Sequence, residues 1–407
     1  MADTRIPEPS SRGLSSEELR RHNLSAVLDR LHLGGPMSRS QLASETGLNR
    51  STIRDLIGEL ANLRLVVESP GTPTSGPGRP SSVARVSPHG AVVLAIELEV
   101  DSIALATVGL GGHIFDEVRE PNKPSSVRPD DIVGRIASLA SHLLEGLPPH
   151  HSLVGAGVAV AGVVRRSDGF VHTAPNLGWQ NVPIAEMIAK HLDVPGVRVA
   201  NEADLGALGE FRRGAGRLAE NMVFVAGEVG VGLGIIQGSA PMLGVSGYAG
   251  EAGHTMVNPN GRQCRCGATG CWETEVGEEA LMARAGLDGW QGDRPIEEII
   301  RRLGAGDATT HAALWETGRW LGIGIGNLIN ILNPDMVVVG GFYHALYPHM
   351  AAAVEVGAKE VALDAPWDAC TIRRSELGAD ALLLGAAELV LGELVADPAA
   401  YVGFTPV

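Results

Sequence analysis

The sequence predicts an α/β protein made of a small N-terminal winged helix-turn-helix head and a larger α/β body. Three observations predict it. Apolar residues recur at helical spacing across residues 19–63, a Pro/Gly/Ser-rich stretch separates two short β-prone runs between 65 and 86, and strands then alternate with helices. At 407 residues the chain is too long for one compact core, and 44% apolar with 19% charged residues is a globular composition.

Residues 1–18 are polar and rich in Pro and Ser, which predicts a flexible tail, and residues 19–87 form the head. Leu24, Val27, Leu28, Leu31 and Leu33 mark a first helix ended by Gly34-Gly35-Pro36. Ser38 is placed to cap a short helix from Ser40 to Thr46, stopped by Gly47. Asn49 or Ser51 caps a third helix, striped by Ile53, Leu56, Ile57, Leu60 and Leu63. Leu65–Glu68 and Val83–Val86 read as the two strands of a wing.

A helix-turn-helix lays its second helix in the major groove. The residues opening that helix, Asn49, Arg50, Ser51, Thr52 and Arg54, are short or forked polar groups suited to base edges and phosphates. Arg39 joins them from just before the preceding helix, and Arg79 sits at the wing tip, where a guanidinium can enter a minor groove. The plainer alternative is a three-helix packing module with solvated arginines. Residues 1–86 carry 11 Arg against 9 acidic residues, while the remainder carries 21 basic and 38 acidic residues. The net charge of −15 therefore belongs to the body and does not exclude DNA at the head.

In the body, Val92–Glu99 and Ser102–Val108 alternate as paired strands, Ile132–Leu147 is helical, and Val154–Val164 reads as one central strand. The apolar run that holds it is short of the about 20 residues a membrane span needs. Ile184–His191 is a helix, and the strand Val197–Ala200 runs into the helix Ala203–Arg213. Met222–Val225 and Gly232–Gln237 are strands, Thr310–Leu332 a long helix, and Met336–Gly340 a strand ending in Gly340-Gly341. The run Gly324-Ile325-Gly326-Asn327 falls inside the long helix, so it reads as close helix packing and not as a dinucleotide fingerprint. No apolar run follows the early arginines, so no secretory leader and a cytoplasmic location are expected.

His254, Cys264, Cys266 and Cys271 form H-x9-C-x-C-x4-C. Zinc takes four N/S ligands in a tetrahedron, and Gly267 and Gly270 suit a tight loop around an ion. Cys264 and Cys266 are poorly placed to bridge each other. The alternative is three reduced structural cysteines beside an unrelated histidine. Cys370 is isolated and reads as a small core residue.

Glu251-Ala252-Gly253-His254, followed by Cys264-Arg265-Cys266-Gly267-Ala268-Thr269-Gly270-Cys271-Trp272-Glu273, resembles the ROK family of repressors, open reading frames and sugar kinases. Val160-Ala161-Gly162, Asn176-Leu177-Gly178-Trp179, Asn201-Glu202-Ala203-Asp204 with Gly209-Glu210, and Leu332-Asn333-Pro334-Asp335 extend the resemblance over nearly the whole chain. The resemblance implies an actin-like (ribonuclease H-like) body of two lobes closing over a sugar, as in sugar kinases. The first lobe would span 88–200 with a C-terminal helix at 380–407, and the second 201–379 with the zinc loop. It also implies that Asn201, Glu202, Glu251, His254 and Glu273 contact sugar hydroxyls, with Asn176 nearby. Carboxylates make strong hydrogen bonds to hydroxyls, and a histidine with one nitrogen on zinc keeps the other for the ligand. The zinc is then structural. Taken singly, Glu251 and Glu273 would read as solvated loop acids.

A family kinase needs glycine-lined phosphate loops and a carboxylate base. The aligned stretches here are Glu97-Leu98-Glu99-Val100-Asp101 and Gly227-Glu228-Val229-Gly230-Val231-Gly232, and the base position holds Glu202. Acids in place of glycine block backbone N–H groups from phosphate and add like charge. The expectation is a non-enzymatic, sugar-responsive DNA-binding regulator, a homodimer or homotetramer on operator DNA. Its relay would run from the sugar site through the zinc loop and lobe hinge to the head. An ATP-dependent sugar kinase with an appended head, and a DNA-binding scaffold governed by a protein partner, are the alternatives.

Overall fold

The computed structural model describes residues 15–70, 82–122, 128–290, 292 and 294–401. Most of the expected tail, the wing tip with Arg79 and the last six residues of the expected C-terminal helix lie outside the described residues. Helix α1 (Ser16–Gly34) starts at Ser16 and not at Leu19, because Ser15 and Glu18 form a reciprocal capping box. Strand β1 (Met37–Ser38) leads into α2 (Arg39–Thr46), capped by Ser38 with Gln41 and closed by Gly47 at φ 71°. Helix α3 (Arg50–Asn62) is capped by Asn49, and it buries Ile53, Leu56, Ile57 and Leu60.

The wing pairs β2 (Val66–Ser69) with β3 (Val83–Val86), and β1 adds to the other edge of β3 through Met37↔Ala84. The wing sheet is thus three-stranded where two strands were expected. Two residues are too few to show the alternation that marks a strand.

The body opens with the antiparallel strands β4 (Val92–Leu98), β5 (Ser102–Gly109) and β6 (His113–Pro121), followed by α4 (Pro129–Glu145) and β7 (Leu153–Val160). The single strand expected over Val154–Val164 is broken. Strand β8 (Val163–Arg165) leaves the main sheet and pairs with β9 (Phe170–Ala174), itself paired with β10 (Trp179–Val182). Gly162 makes the turn, since a Cβ there would stand 2.6 Å from the Thr173 carbonyl. Apolar texture on both sides of it hid the break. Helix α5 (Ile184–His191) and β11 (Val197–Asn201) complete the first sheet, ordered β11-β7-β4-β5-β6.

Helix α6 (Glu202–Arg213) then leads to β12 (Met222–Gly227), β13 (Val231–Gln237) and β14 (Ala240–Pro241). Helices α7 (Trp272–Val276), α8 (Glu278–Arg284), α9 (Pro295–Gly304) and α10 (Ala308–Leu332) precede β15 (Met336–Gly341). Helices α11 (Tyr343–Lys359) and α12 (Asp364–Ala369), strand β16 (Thr371–Arg374) and helix α13 (Ala381–Ala396) close the chain.

The second sheet is ordered β14-β13-β12-β15-β16. Each sheet is an antiparallel meander whose first strand pairs in parallel with a fourth, and that fourth in parallel with a fifth. One topology has been used twice, giving the actin-like pair of lobes.

Two helices lie where the lobes meet. Helix α13 packs on the first sheet, sharing a core with Val93, Ala95 and Ala106 and with Leu28 and Leu31 of the head. Helix α6 packs on the second, where a Cβ at Gly234 would sit 2.2 Å from the Ala203 carbonyl. Among the described residues, no helix is long and apolar enough to cross a membrane.

Candidate functional site

The four residues of the metal-ligand pattern come together after β14. Bridges Met256↔Cys271 and Gln263↔Thr269 pinch the loop, and Cys264 N–H donates to the Ala268 carbonyl at 2.7 Å. Gly267 holds φ 95°, and Gly270 at φ 72° has no room for a side chain, since a Cβ would meet the Asn258 carbonyl at 1.7 Å. The ligand atoms of His254, Cys264, Cys266 and Cys271 all lie within 4.8 Å of one another. Cys266 Sγ and Cys271 Sγ are 3.7 Å apart, as are Cys264 Sγ and His254 Nδ1. Zn–S bonds of about 2.3 Å in a tetrahedron separate two sulfurs by about 3.8 Å, so this set fits the ion. Burial pushes the Cys264 and Cys271 thiols up, and these sulfurs would bind a divalent cation as thiolates.

The same loop aims the candidate sugar residues. His254 turns Nδ1 toward the thiols and leaves Nε2 4.0 Å from Glu251 Oε2. Glu273 follows Cys271 by two residues in α7. Its Oε1 accepts from the Cys264 thiol at 2.9 Å and stands 3.4 Å from His254 Nδ1, and its other oxygen lies over Gly230. Asn201 ends β11 and caps α6. Its Oδ1 accepts from Ala203 N–H at 2.8 Å, while its Nδ2 donates to the Gly162 carbonyl at 3.0 Å. Asn176 is exposed on the short 3-10 turn Pro175–Leu177 and hydrogen-bonds none of the other five.

Glu202 does not join this group directly. Its carboxylate faces Glu99 and Glu97 at the end of β4, and Glu228 in the β12–β13 turn feels the same three acids. Burial first, then its acidic neighbours, raises Glu202 to about 8, and burial with Glu99 raises Glu97 to about 8. Glu228 is driven up by the same causes, and burial followed by Asp101 raises Glu99. Arg119 opposes the crowding, donating to Glu97 at 2.7 Å with Glu99 at 3.9 Å. The acids of the two loops and the residue after Asn201 thus form one wall, although 131 residues separate Glu97 from Glu228.

Asp204 closes the Asn201-Glu202-Ala203-Asp204 motif. It is buried in the first turn of α6 and raised to about 7, mainly by burial, with Arg166 opposing and Glu251 adding to the rise. Its spacing from Asn201 on the opening turn of a helix was the available signal. Glu210 has a structural role. Its carboxylate accepts from Ser375 Oγ at 2.5 Å and from Leu377 N–H at 2.9 Å, tying α6 to the chain after β16.

In the head, Arg50, Ser51 and Arg54 are exposed on α3. Asn49 spends its side chain on the cap, accepting from Thr52 N–H at 2.9 Å, Ser51 Oγ at 2.6 Å and Thr52 Oγ1 at 3.1 Å. Arg39 is held by Glu68 of the wing, with Nε 2.8 Å from Oε1. Arg54 pairs with its neighbour Asp55 at 3.0 Å.

A family model described as the ROK family matches residues 93–393. The xylose repressor of Bacillus subtilis (strain 168) is 30% identical over 373 residues, covering 91% of this chain and 94% of that protein. A crystal structure described as a ROK family transcriptional regulator, homolog of the E. coli MLC protein, superposes with TM-score 0.75 at 24% identity. That match covers 93% of this chain and 97% of the other. A ROK family glucokinase from Streptomyces griseus, solved with glucose and AMPPNP, gives TM-score 0.65 at 26% identity, covering 74% of this chain and 99% of its own.

Proposed function

The chain belongs to the ROK family, and from that premise we propose that it is a sugar-responsive transcriptional repressor whose cleft takes a sugar but no nucleotide. One observation carries the reading. The repressor match spans 91% of the chain and so reaches into the head, whereas the glucokinase structure covers 74%. The added part is a helix-turn-helix with Arg50 and Arg54 exposed on its second helix.

In this reading, Glu251, His254 Nε2 and Glu273 face the sugar, with Asn201, Asp204 and Asn176 on the approach. Carboxylates accept from hydroxyls, and the imidazole, fixed through Nδ1, presents Nε2. His254, Cys264, Cys266 and Cys271 would hold the zinc, which supplies a fixed loop geometry. Glu251, His254 and Glu273 then keep their relative positions without the ligand.

The acid wall disfavours a kinase. A polyphosphate entering there meets Glu97, Glu99, Asp101, Glu202 and Glu228, with Arg119 already bound to Glu97. Like charges in a partly desolvated site repel by several kcal/mol. Protonating the wall relieves the repulsion and still leaves side chains where backbone N–H groups should approach phosphate.

The head reads DNA through phosphate contacts from Arg50 and Arg54, and a homodimer presents two heads to a two-fold operator. Full-length protein should retard a DNA fragment carrying its operator. A member of a panel of aldopentoses, aldohexoses and N-acetylhexosamines should release it. ATP consumption with sugar phosphate formed, and no sugar effect on DNA, would establish the kinase instead.

A further inference from the structure

The head is not joined to the body by its linker alone. Three contacts to charged groups of the body cross from α1. Arg21 Nε donates to Asp397 at 3.1 Å, Asp29 accepts from Arg212 at 2.7 Å, and His32 Nε2 lies 3.1 and 3.2 Å from the two oxygens of Glu388. The last contact is buried, with the side chains of His32 and Glu388 0% and 1% exposed. Arg213 completes it, donating from Nε to Glu388 at 2.5 Å and from Nη1 to the His32 carbonyl at 3.5 Å. Gly111 N–H donates to His32 Nδ1 at 3.0 Å, and Gly112 leaves the space Arg213 fills, since a Cβ there would lie 2.4 Å from its Nε.

The members of the cluster come from three different bodies. His32 and Asp29 ride on the head, Glu388 on α13 and the first sheet, and Arg212 and Arg213 on α6 and the second sheet. Helix α6 has its other end in the cleft, where Asn201 caps it and Glu202 and Asp204 occupy its first turn. Twelve residues span about 18 Å at 1.5 Å each. The two body helices cross backbone to backbone. A Cβ at Gly209 would sit 2.4 Å from the Ala381 carbonyl, and one at Gly385 1.8 Å from that of Leu205. A cavity of about 560 Å³ borders the seam, lined by Leu31, Pro36 and Val67 of the head and by Pro88, His89 and Leu110 of the body.

We infer that the His32–Glu388–Arg213 cluster, with Asp29–Arg212 beside it, is the joint through which lobe closure on a sugar is passed to the DNA-binding head. The inference rests on the repressor reading and names the regulation of that same cleft. It replaces a route through the zinc loop by one along α6. A buried charged cluster adds little net stability compared with apolar packing, but it tolerates few relative positions of its members. A displacement of about 1 Å between α6 and α13 separates Arg213 from Glu388, and an unpaired buried charge forces His32, and with it α1, to shift. These are positioning residues. They touch neither sugar nor DNA.

The test uses full-length protein, operator DNA and the same sugar panel. Sugar affinity, operator affinity, and operator affinity at saturating sugar are measured for wild type, Glu388→Gln and the milder Asp29→Asn. In wild type, the active sugar should weaken operator binding by about tenfold or more, within the usual range of allosteric coupling. In both variants, sugar affinity and sugar-free operator affinity should stay within about threefold, while the sugar effect on DNA drops below about threefold. A merely structural role would lower the melting temperature and both affinities together and leave their ratio intact, and that result overturns the inference. Asp29→Asn, at the half-exposed edge, answers the question if Glu388→Gln does not fold. Variants that respond like wild type refute the joint while leaving the repressor reading standing. A wild type whose operator binding no sugar of the panel changes refutes both.

Discussion

Adding one methyl group at each of two helical glycines should move stability in opposite directions. Gly134 lies on the exposed face of α4 with nothing within 4 Å of where a Cβ would stand. Alanine there gains helix propensity, about 0.5–1 kcal/mol. Gly324 lies in α10 against Trp272, and its Cβ would stand 1.9 Å from the indole Cε2. Carbon atoms pack at about 3.5–4.0 Å, so the indole must retreat by about 1.5–2 Å. Trp272 is 1% exposed and donates from Nε1 to the Trp320 carbonyl at 3.0 Å, so it has nowhere to go without giving up that bond. Overpacking of this kind costs about 1–3 kcal/mol. Set against a propensity gain of about 1 kcal/mol, Gly324→Ala should lose up to about 2 kcal/mol overall. Because Trp272 directly follows Cys271, the displacement should also loosen the metal loop. Calorimetry on lobes of this size should show a melting temperature lowered by up to about 6 °C for Gly324→Ala and raised by about 1–3 °C for Gly134→Ala. Zinc content by elemental analysis should fall only in the first. A Gly324→Ala protein that melts at or above the wild-type temperature with its metal retained would refute the packing argument.

Other outcomes follow from the same geometry. Replacing Asn49 by Ala removes the cap of α3 and should cost the head about 1 kcal/mol, whereas Asn49→Asp should cost little, as thermal unfolding will report. Arg50→Ala and Arg54→Ala should each weaken operator binding and reduce the salt slope of log K by about 1, and an unchanged slope would remove these residues from the DNA face. Cys271→Ser, or chelation of the metal, should abolish the rise in melting temperature that sugar produces, while a full sugar shift in metal-free protein would separate the loop from the site. Glu97 and Glu202 titrate near 8, above the ordinary carboxylate value of about 4.3, so the unfolded chain sheds these protons first. Their contribution is present at low pH and is lost as pH rises through the interval up to about 8. The melting temperature should therefore decline between pH 5.5 and 8.5, and Glu202→Gln should flatten the decline. A climb over that range contradicts the acid wall.

The head was legible because its signals are local. Ser38 and Gly47 bound α2, and Asn49 starts α3, through bonds to residues two or three positions away. The cluster of His254, Cys264, Cys266 and Cys271 was legible for the same reason, three of its four residues lying within eight positions. The break after Val160 was not, because an apolar strand and the apolar turn that ends it have the same texture, and only Thr173 of another strand decides where the chain bends. The family resemblance implies a sugar contact for Asn201, and both its polar ends are already occupied in capping α6 and holding Gly162.

The sequence by itself determined the winged head, the cysteine-histidine loop, the family and the acids at Glu97, Glu99, Glu202 and Glu228. Each of these is a matter of residue type at short spacing. Only the tertiary structure decided that the body repeats one sheet topology, that Glu97, Glu99, Glu202 and Glu228 form a single wall, and that His32 meets Glu388 across 356 residues of chain. Burial and charge pairing depend on which distant segments are brought together, and no local pattern records which partner a buried charge will find.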